Sequence, residues 1–248
     1  MTHRGQRGLD APPIPVALCL MVGVTVCLAW AFDLPIIREV IPGRPAMQLT
    51  TAICFIAAGA MLYFTDRVNG RGVRVRLSSA ALILLVMGWT WTGYVFSFDP
   101  HLDEAIGAGD RWPGRPSFGT AFAFTAAALW GMLYRTRYAI ADVTAGLIVM
   151  TISIPAVIGH AIGKPTLYYE AVGGVGMALN TAILLLILGA AIHGRERGHR
   201  GINATGTILV LAATVAGLLA ATSAKIAGVA GPSAFPIIDT GKQNLRGR

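Results

Sequence analysis

The chain has 248 residues, of which 54% are hydrophobic and 13% charged, and its mean hydropathy is +0.62. A soluble domain carries charge on about a quarter of its residues, so this composition excludes a soluble enzyme, a disordered tail and a disulfide scaffold. The formal net charge of +8 is scattered over short loops rather than drawn out along a stripe. That excludes a nucleic-acid face and fits the orienting charges of an integral membrane protein in contact with the lipid bilayer.

Seven apolar stretches are long enough, or nearly so, to cross a hydrocarbon layer of about 30 Å, which takes about 20 helical residues. They cover 14–32, 47–65, 78–98, 117–134, 139–163, 176–193 and 204–229. The first follows Arg4 and Arg7 but is too long, and too poor in a cleavage site, for a signal peptide. All are continuous rather than alternating, which selects helices over barrel strands. Cys19, Cys27 and Cys54 fall inside such stretches without CxxC spacing and read as small apolar packing residues. The predicted fold is an all-α integral membrane protein with a single membrane domain over 1–248. Three tandem helical hairpins, at about 14–65, 78–134 and 139–193, precede an extra helix at about 204–229.

Lys and Arg set the orientation. With a cytoplasmic N-terminus, eleven arginines face that side: Arg4, Arg7, Arg67, Arg71, Arg74, Arg76, Arg135, Arg137, Arg195, Arg197 and Arg200. The opposite loops hold five cations, Arg38, Arg44, Arg111, Arg115 and Lys164. The expectation is a bacterial inner (cytoplasmic) membrane protein of this topology.

Internal similarity is the most informative feature. The second stretch opens Met47-Gln48-Leu49-Thr50-Thr51-Ala52-Ile53-Cys54-Phe55, and the sixth opens Met177-Ala178-Leu179-Asn180-Thr181-Ala182-Ile183. The fourth carries a degraded version, Pro116-Ser117-Phe118-Gly119-Thr120-Ala121. Gly43-Arg44-Pro45 and Gly114-Arg115-Pro116 precede or open two of the three. The odd stretches answer with Ala29-Trp30-Ala31-Phe32, Gly93-Tyr94-Val95-Phe96 and Gly159-His160-Ala161-Ile162. This pattern suggests duplication of one packing unit. All the shared elements lie toward the outer face. One reading is structural: threonines capping helix starts, aromatic residues at the interface, and Gly159 with Gly163 spaced for close helix approach. The other is a ligand pocket walled by Trp30, Tyr94, His160, Thr51, Thr120 and Thr181, with Arg44 and Arg115 at its mouth.

From about residue 45 to residue 193 the chain resembles the multi-helix membrane sensor regions N-terminal to bacterial diguanylate cyclases (GGDEF proteins) and histidine kinases. The likeness rests on Met47 to Phe55 and on Gly93-Tyr94-Val95-Phe96, then on Leu102-Asp103, Pro113-Gly114-Arg115-Pro116 and Thr120-Ala121. Gly159-His160 through Tyr168 and Met177 to Ala182 complete it. The resemblance implies a region that receives an envelope or membrane signal and relays it to a cytoplasmic output domain, with no ligand assigned. No GGDEF segment, phosphoacceptor region or ATP-binding pattern follows the seventh stretch, so the expected module signals through a partner protein.

Other chemistries fit less well. Lys225 late in the seventh stretch resembles the Schiff-base lysine of retinal proteins, but residue 221 is Ala and the third stretch offers no counter-ion. Haem needs paired axial ligands at one depth, which His160 and His193 do not supply. An outer metal site would draw on His101, His160, Asp99, Asp103 and Glu104. Transport would need charges at mid-depth, and Asp142 and the kink expected at Pro155 provide none. No nucleophile–base pair points to an enzyme. The expectation is a non-enzymatic sensory or input module with no cofactor assigned. The alternative is an accessory or structural subunit of a larger membrane complex.

Overall fold

A computed structural model of the chain describes residues 13–41, 43–67, 69–96, 115–134, 139–168 and 175–200, with backbone alone for 139–143 and 196–200. The described residues are helical, with no strand among them. In chain order the helices are α1 (Ile14–Ala31), the single turn α2 (Pro35–Arg38), α3 (Leu49–Phe64), α4 (Gly70–Phe96), α5 (Phe118–Leu133), α6 (Ala139–Ile162) and α7 (Leu179–Arg200). A 3₁₀ turn covers Pro165–Leu167. The expected stretch at 204–229, Lys225 included, lies outside the described residues, as do His101 and its neighbouring acids.

Three helices are long and apolar enough to cross a membrane: Ile14–Ala31, Gly70–Phe96 and Thr144–Ile162 within α6. The apolar helices Leu49–Phe64, Phe118–Leu133 and Leu179–Arg195 are shorter. At 1.5 Å per residue the 16 residues of α3 reach only about 24 Å. Packing explains the difference. α3, α5 and α7 touch one another in the middle of the bundle, whereas α4 and α6 lie outside against the helices next to them in the chain, and α1 lies outside against α3 and α7. Protein groups meet the backbone at the ends of the middle helices, Trp30 at the Met47 carbonyl before α3 and Arg76 at the Tyr134 carbonyl after α5, so their length need not match the hydrocarbon layer.

The inner faces are built in one register. Ala52, Phe55, Ala58 and Leu62 of α3 are fully buried, as are Ala121, Phe124 and Ala127 of α5 and Ala182, Leu185, Leu188 and Ile192 of α7 with little or no exposure. Phe55 and Phe124 meet edge to face with centroids 4.8 Å apart. Away from that core Met21, Leu28, Leu82, Leu85 and Trp89 of the outer helices are exposed, as are Ile53, Phe122, Leu129 and Ile183 of α3, α5 and α7, the distribution expected of side chains that face acyl chains.

Two boundaries differ from the sequence expectation. α4 begins at Gly70 rather than near 78, because Asn69 caps it: Gly72 N donates to Asn69 Oδ1 at 2.7 Å, and Val73 N to the Asn69 carbonyl. Arg71, Arg74 and Arg76 therefore belong to a helix and not to a loop. α7 likewise continues past 193 to Arg200. At this basic end arginines close helix C-termini, where exposed carbonyls attract cations. Arg76, itself buried, donates to the Tyr134 carbonyl at the end of α5 (3.2 Å). Arg195 of α7 reaches the Leu62 carbonyl of α3 (3.4 Å) and Asp66 (3.5 Å).

Candidate functional site

The opposite end of the bundle carries the residues singled out by sequence. α1, α4 and α6 end there and α3, α5 and α7 begin there. Each outer helix buries the same face on its way. Val16, Cys19, Gly23, Val26 and Ala29 are buried on α1. Ala80, Ile83, Met87, Thr90 and Gly93 repeat that spacing on α4, and Gly146, Val149, Ser153, Ala156 and Gly159 repeat it on α6. The last residue of each set is small, and the residue after it is Trp30, Tyr94 or His160.

These three rings make the same contact. Trp30 Nε1 donates to the Met47 carbonyl at 3.0 Å, Tyr94 OH to the Pro116 carbonyl at 2.8 Å, and His160 Nε2 lies 2.9 Å from the Met177 carbonyl. A carbonyl only accepts, so His160 carries its proton on Nε2 and presents Nδ1 as an acceptor. Met47, Pro116 and Met177 each stand one helical turn before Thr51, Thr120 and Thr181. Each ring thus holds the extended backbone that leads into its partner helix.

The first and third hairpins agree further, at one constant displacement along the sequence. Leu34 N donates to the Ala29 carbonyl (2.8 Å) and Lys164 N to the Gly159 carbonyl (2.9 Å), closing each helix through a residue at positive φ, Asp33 (51°) and Gly163 (68°). Pro35 and Pro165 then start short helical turns. Met47 N donates to the Arg38 carbonyl and Met177 N to the Tyr168 carbonyl. Arg38 stacks its guanidinium over Trp30 (4.4 Å to the centroid), and Tyr168 stacks its ring on His160 (3.9 Å, 10°).

Gly159 has a different use from the expected helix–helix motif. A Cβ there would lie 2.6 Å from Leu167 Cβ and 3.1 Å from Tyr168 Cδ1, so glycine lets the turn fold back and lay Tyr168 on His160. Gly163 lies beyond the helix with open space around it. The close approach of α6 to α7 occurs instead at Gly146 and Gly189.

The threonines also depart from expectation. Gln48 and Ser117 occupy the N-cap positions, and Ser117 Oγ accepts from Thr120 N (3.2 Å) and bonds Thr120 Oγ1 (2.9 Å). Thr51, Thr120 and Thr181 are buried inside the first helical turn, beyond the N-cap. Each stands a turn deeper than the carbonyl that its ring contacts.

The two Gly-Arg-Pro arginines part company. Arg115 lies over Tyr94 of its own hairpin, 4.5 Å from the centroid. Arg44 crosses to the third hairpin, where Nη1 donates to Tyr168 OH at 3.0 Å and stands 3.5 Å from His160 Nδ1. Three rings therefore each meet an arginine: Trp30 meets Arg38, Tyr94 meets Arg115 and His160 meets Arg44. Arg38 and Tyr168 were not among the expected site residues, although Pro35 and Pro165, equally placed after Trp30 and His160, were a signal for them. Among the described residues no cluster of three or more His, Cys, Asp or Glu could hold a metal ion, and all three cysteines are free.

Substitutions that remove the polar atom but leave an aromatic side chain probe the shared contact. Tyr94→Phe orphans the Pro116 carbonyl and should cost about 1 kcal/mol, typical of polar contacts in membrane proteins, and Trp30→Phe, which also trims the indole under Arg38, should cost more. Thermal unfolding in detergent would check this, and wild-type stability in both variants would deny the contact any energetic weight. Comparison with family models, with characterised proteins and with solved structures yields no match for this chain.

Proposed function

We propose that the chain is a membrane-embedded sensory input module whose helix rearrangement is read by a partner protein. It would sit in a bacterial inner membrane, with its N-terminus in the cytoplasm and the ring-bearing end outside. The observation that carries this reading is the Arg44 crossing. One side chain from the loop between α2 and α3 joins the first hairpin to the His160–Tyr168 stack of the third. A ligand or membrane change that engaged Arg44 would alter how those two hairpins sit together. α7 starts just beyond the carbonyl held by His160 and, at its other end, ties Arg195 to α3. It is placed to carry such a change to the basic, inward side. The common buried spacing of α1, α4 and α6 supports descent from one duplicated hairpin, and the resemblance to sensor regions of diguanylate cyclases and histidine kinases supports the signalling role.

The deciding experiment is gentle detergent extraction of the tagged protein, followed by mass spectrometry of what co-purifies. Stoichiometric recovery of a kinase, a cyclase or a comparable regulator is expected. Recovery with the subunits of one large membrane complex would replace the sensor by an accessory subunit. Recovery of the chain alone would overturn the partner-read module.

A further inference from the structure

Arg44 is committed on one edge only. Both hydrogens of Nη1 are directed to the third hairpin, one to Tyr168 OH and the other toward His160 Nδ1. The guanidinium has five N–H donors in a fixed plane, so three, on Nη2 and Nε, remain on the far edge. None of these three has a partner among the described residues, and none is buried without one. No carboxylate among the described residues neutralises Arg44, whereas Arg38, which ends α2 just before the loop that carries Arg44, is ion-paired with Asp33 at 2.6 Å. The plane is also fixed in place. Tyr168 is held by its stack on His160, and His160 by the Met177 carbonyl. A half-buried, pre-oriented guanidinium with a free two-donor edge matches the geometry of two oxygens of a carboxylate or phosphate.

We propose that the free edge of Arg44 binds an oxyanion, a phosphate or carboxylate group, and that this group is the ligand class of the ring-bearing end. The proposal rests on the sensory reading for its purpose, but the binding itself is a property of the isolated protein. Two sources supply the chemistry: a soluble anion and the phosphate of a lipid headgroup. Phe32, Leu34, Ile36 and Val40 stand exposed around the same loop, which brings the site to headgroup depth and keeps both sources in reach.

The test uses the purified full chain in dodecyl maltoside micelles, which contain no phosphate. Inorganic phosphate and succinate are titrated by calorimetry, and phosphatidylglycerol retention is followed by native mass spectrometry. One saturable site is expected in one arm. The soluble arm would identify a solute, and the lipid arm a headgroup. Arg44→Gln should abolish the site. Arg44→Lys, which keeps the charge but loses the two-donor edge, should weaken it about tenfold. Absence of binding to all three probes, or equal binding by wild type and Arg44→Gln, would overturn the proposal. Co-purification with a regulator would be untouched by that result, so failure of the anion site and failure of the sensory reading are separable.

Discussion

Gly189→Leu is expected to prevent stable pairing of α6 with α7. A Cβ at position 189 would lie 2.8 Å from Met150 Cγ, 2.9 Å from the Gly146 carbonyl oxygen and 3.0 Å from Met150 N. The reciprocal position is as tight: a Cβ on Gly146 would lie 2.7 Å from His193 N and 2.8 Å from the Gly189 carbonyl oxygen. Backbone cannot rotate aside as a side chain can, so the two helices must separate. In lipid, helices associate through packing rather than through release of water, and separation removes that packing outright. The cost should exceed the roughly 1–3 kcal/mol of ordinary overpacking. Gly59 stands at the same register on α3, and its Cβ would meet the Leu20 side chain at 2.9 Å. That neighbour is flexible, so Gly59→Ala should be the milder change. Size-exclusion profile and unfolding temperature in detergent would compare them. A Gly189→Leu protein that is monodisperse and as stable as wild type would refute the backbone contact.

His160→Ala should be the most damaging single change at the ring-bearing end. It removes the donor to the Met177 carbonyl, the acceptor facing Arg44 and the ring on which Tyr168 stacks. Orphaning a buried polar group costs about 1–3 kcal/mol, so losing these together should cost about 2–4 kcal/mol. Tyr94→Phe, by comparison, loses one hydrogen bond and retains its ring. A double-mutant cycle of His160→Ala with Arg44→Gln isolates the crossing from the rest. A coupling of about 1 kcal/mol is expected, and strict additivity would show that Arg44 and His160 do not sense one another.

Much of the fold was legible because apolar length and charge placement act locally. The runs at 14–32, 47–65, 117–134 and 139–163 became helices close to the expected bounds, since nothing but a helix satisfies its own backbone within such a run. The start of α4 was misplaced because a basic segment, Arg71 to Arg76, looks like loop. Asn69 nevertheless begins the helix there, and the arginines serve as helix residues that reach the neighbouring C-termini. The Thr-Ala pairs and the small-then-aromatic endings marked the correct turn of each hairpin. The capping role belongs three residues earlier than expected, to Gln48 and Ser117 rather than Thr51 and Thr120, and the rings bind the carbonyls one turn before the threonines.

What the sequence by itself determined is an apolar, helical chain of paired segments with one strongly basic end. These follow from solvation of side chains and backbone, which each segment settles alone. Tertiary structure decided which arginine meets which ring. Arg44 and Arg115 share the same tripeptide, yet one lies over Tyr94 of its own hairpin and the other spans to Tyr168 and His160. That choice depends on how the first hairpin closes against the third, through α1 and α7. It is a contact between residues far apart in the chain, and no local pattern encodes it.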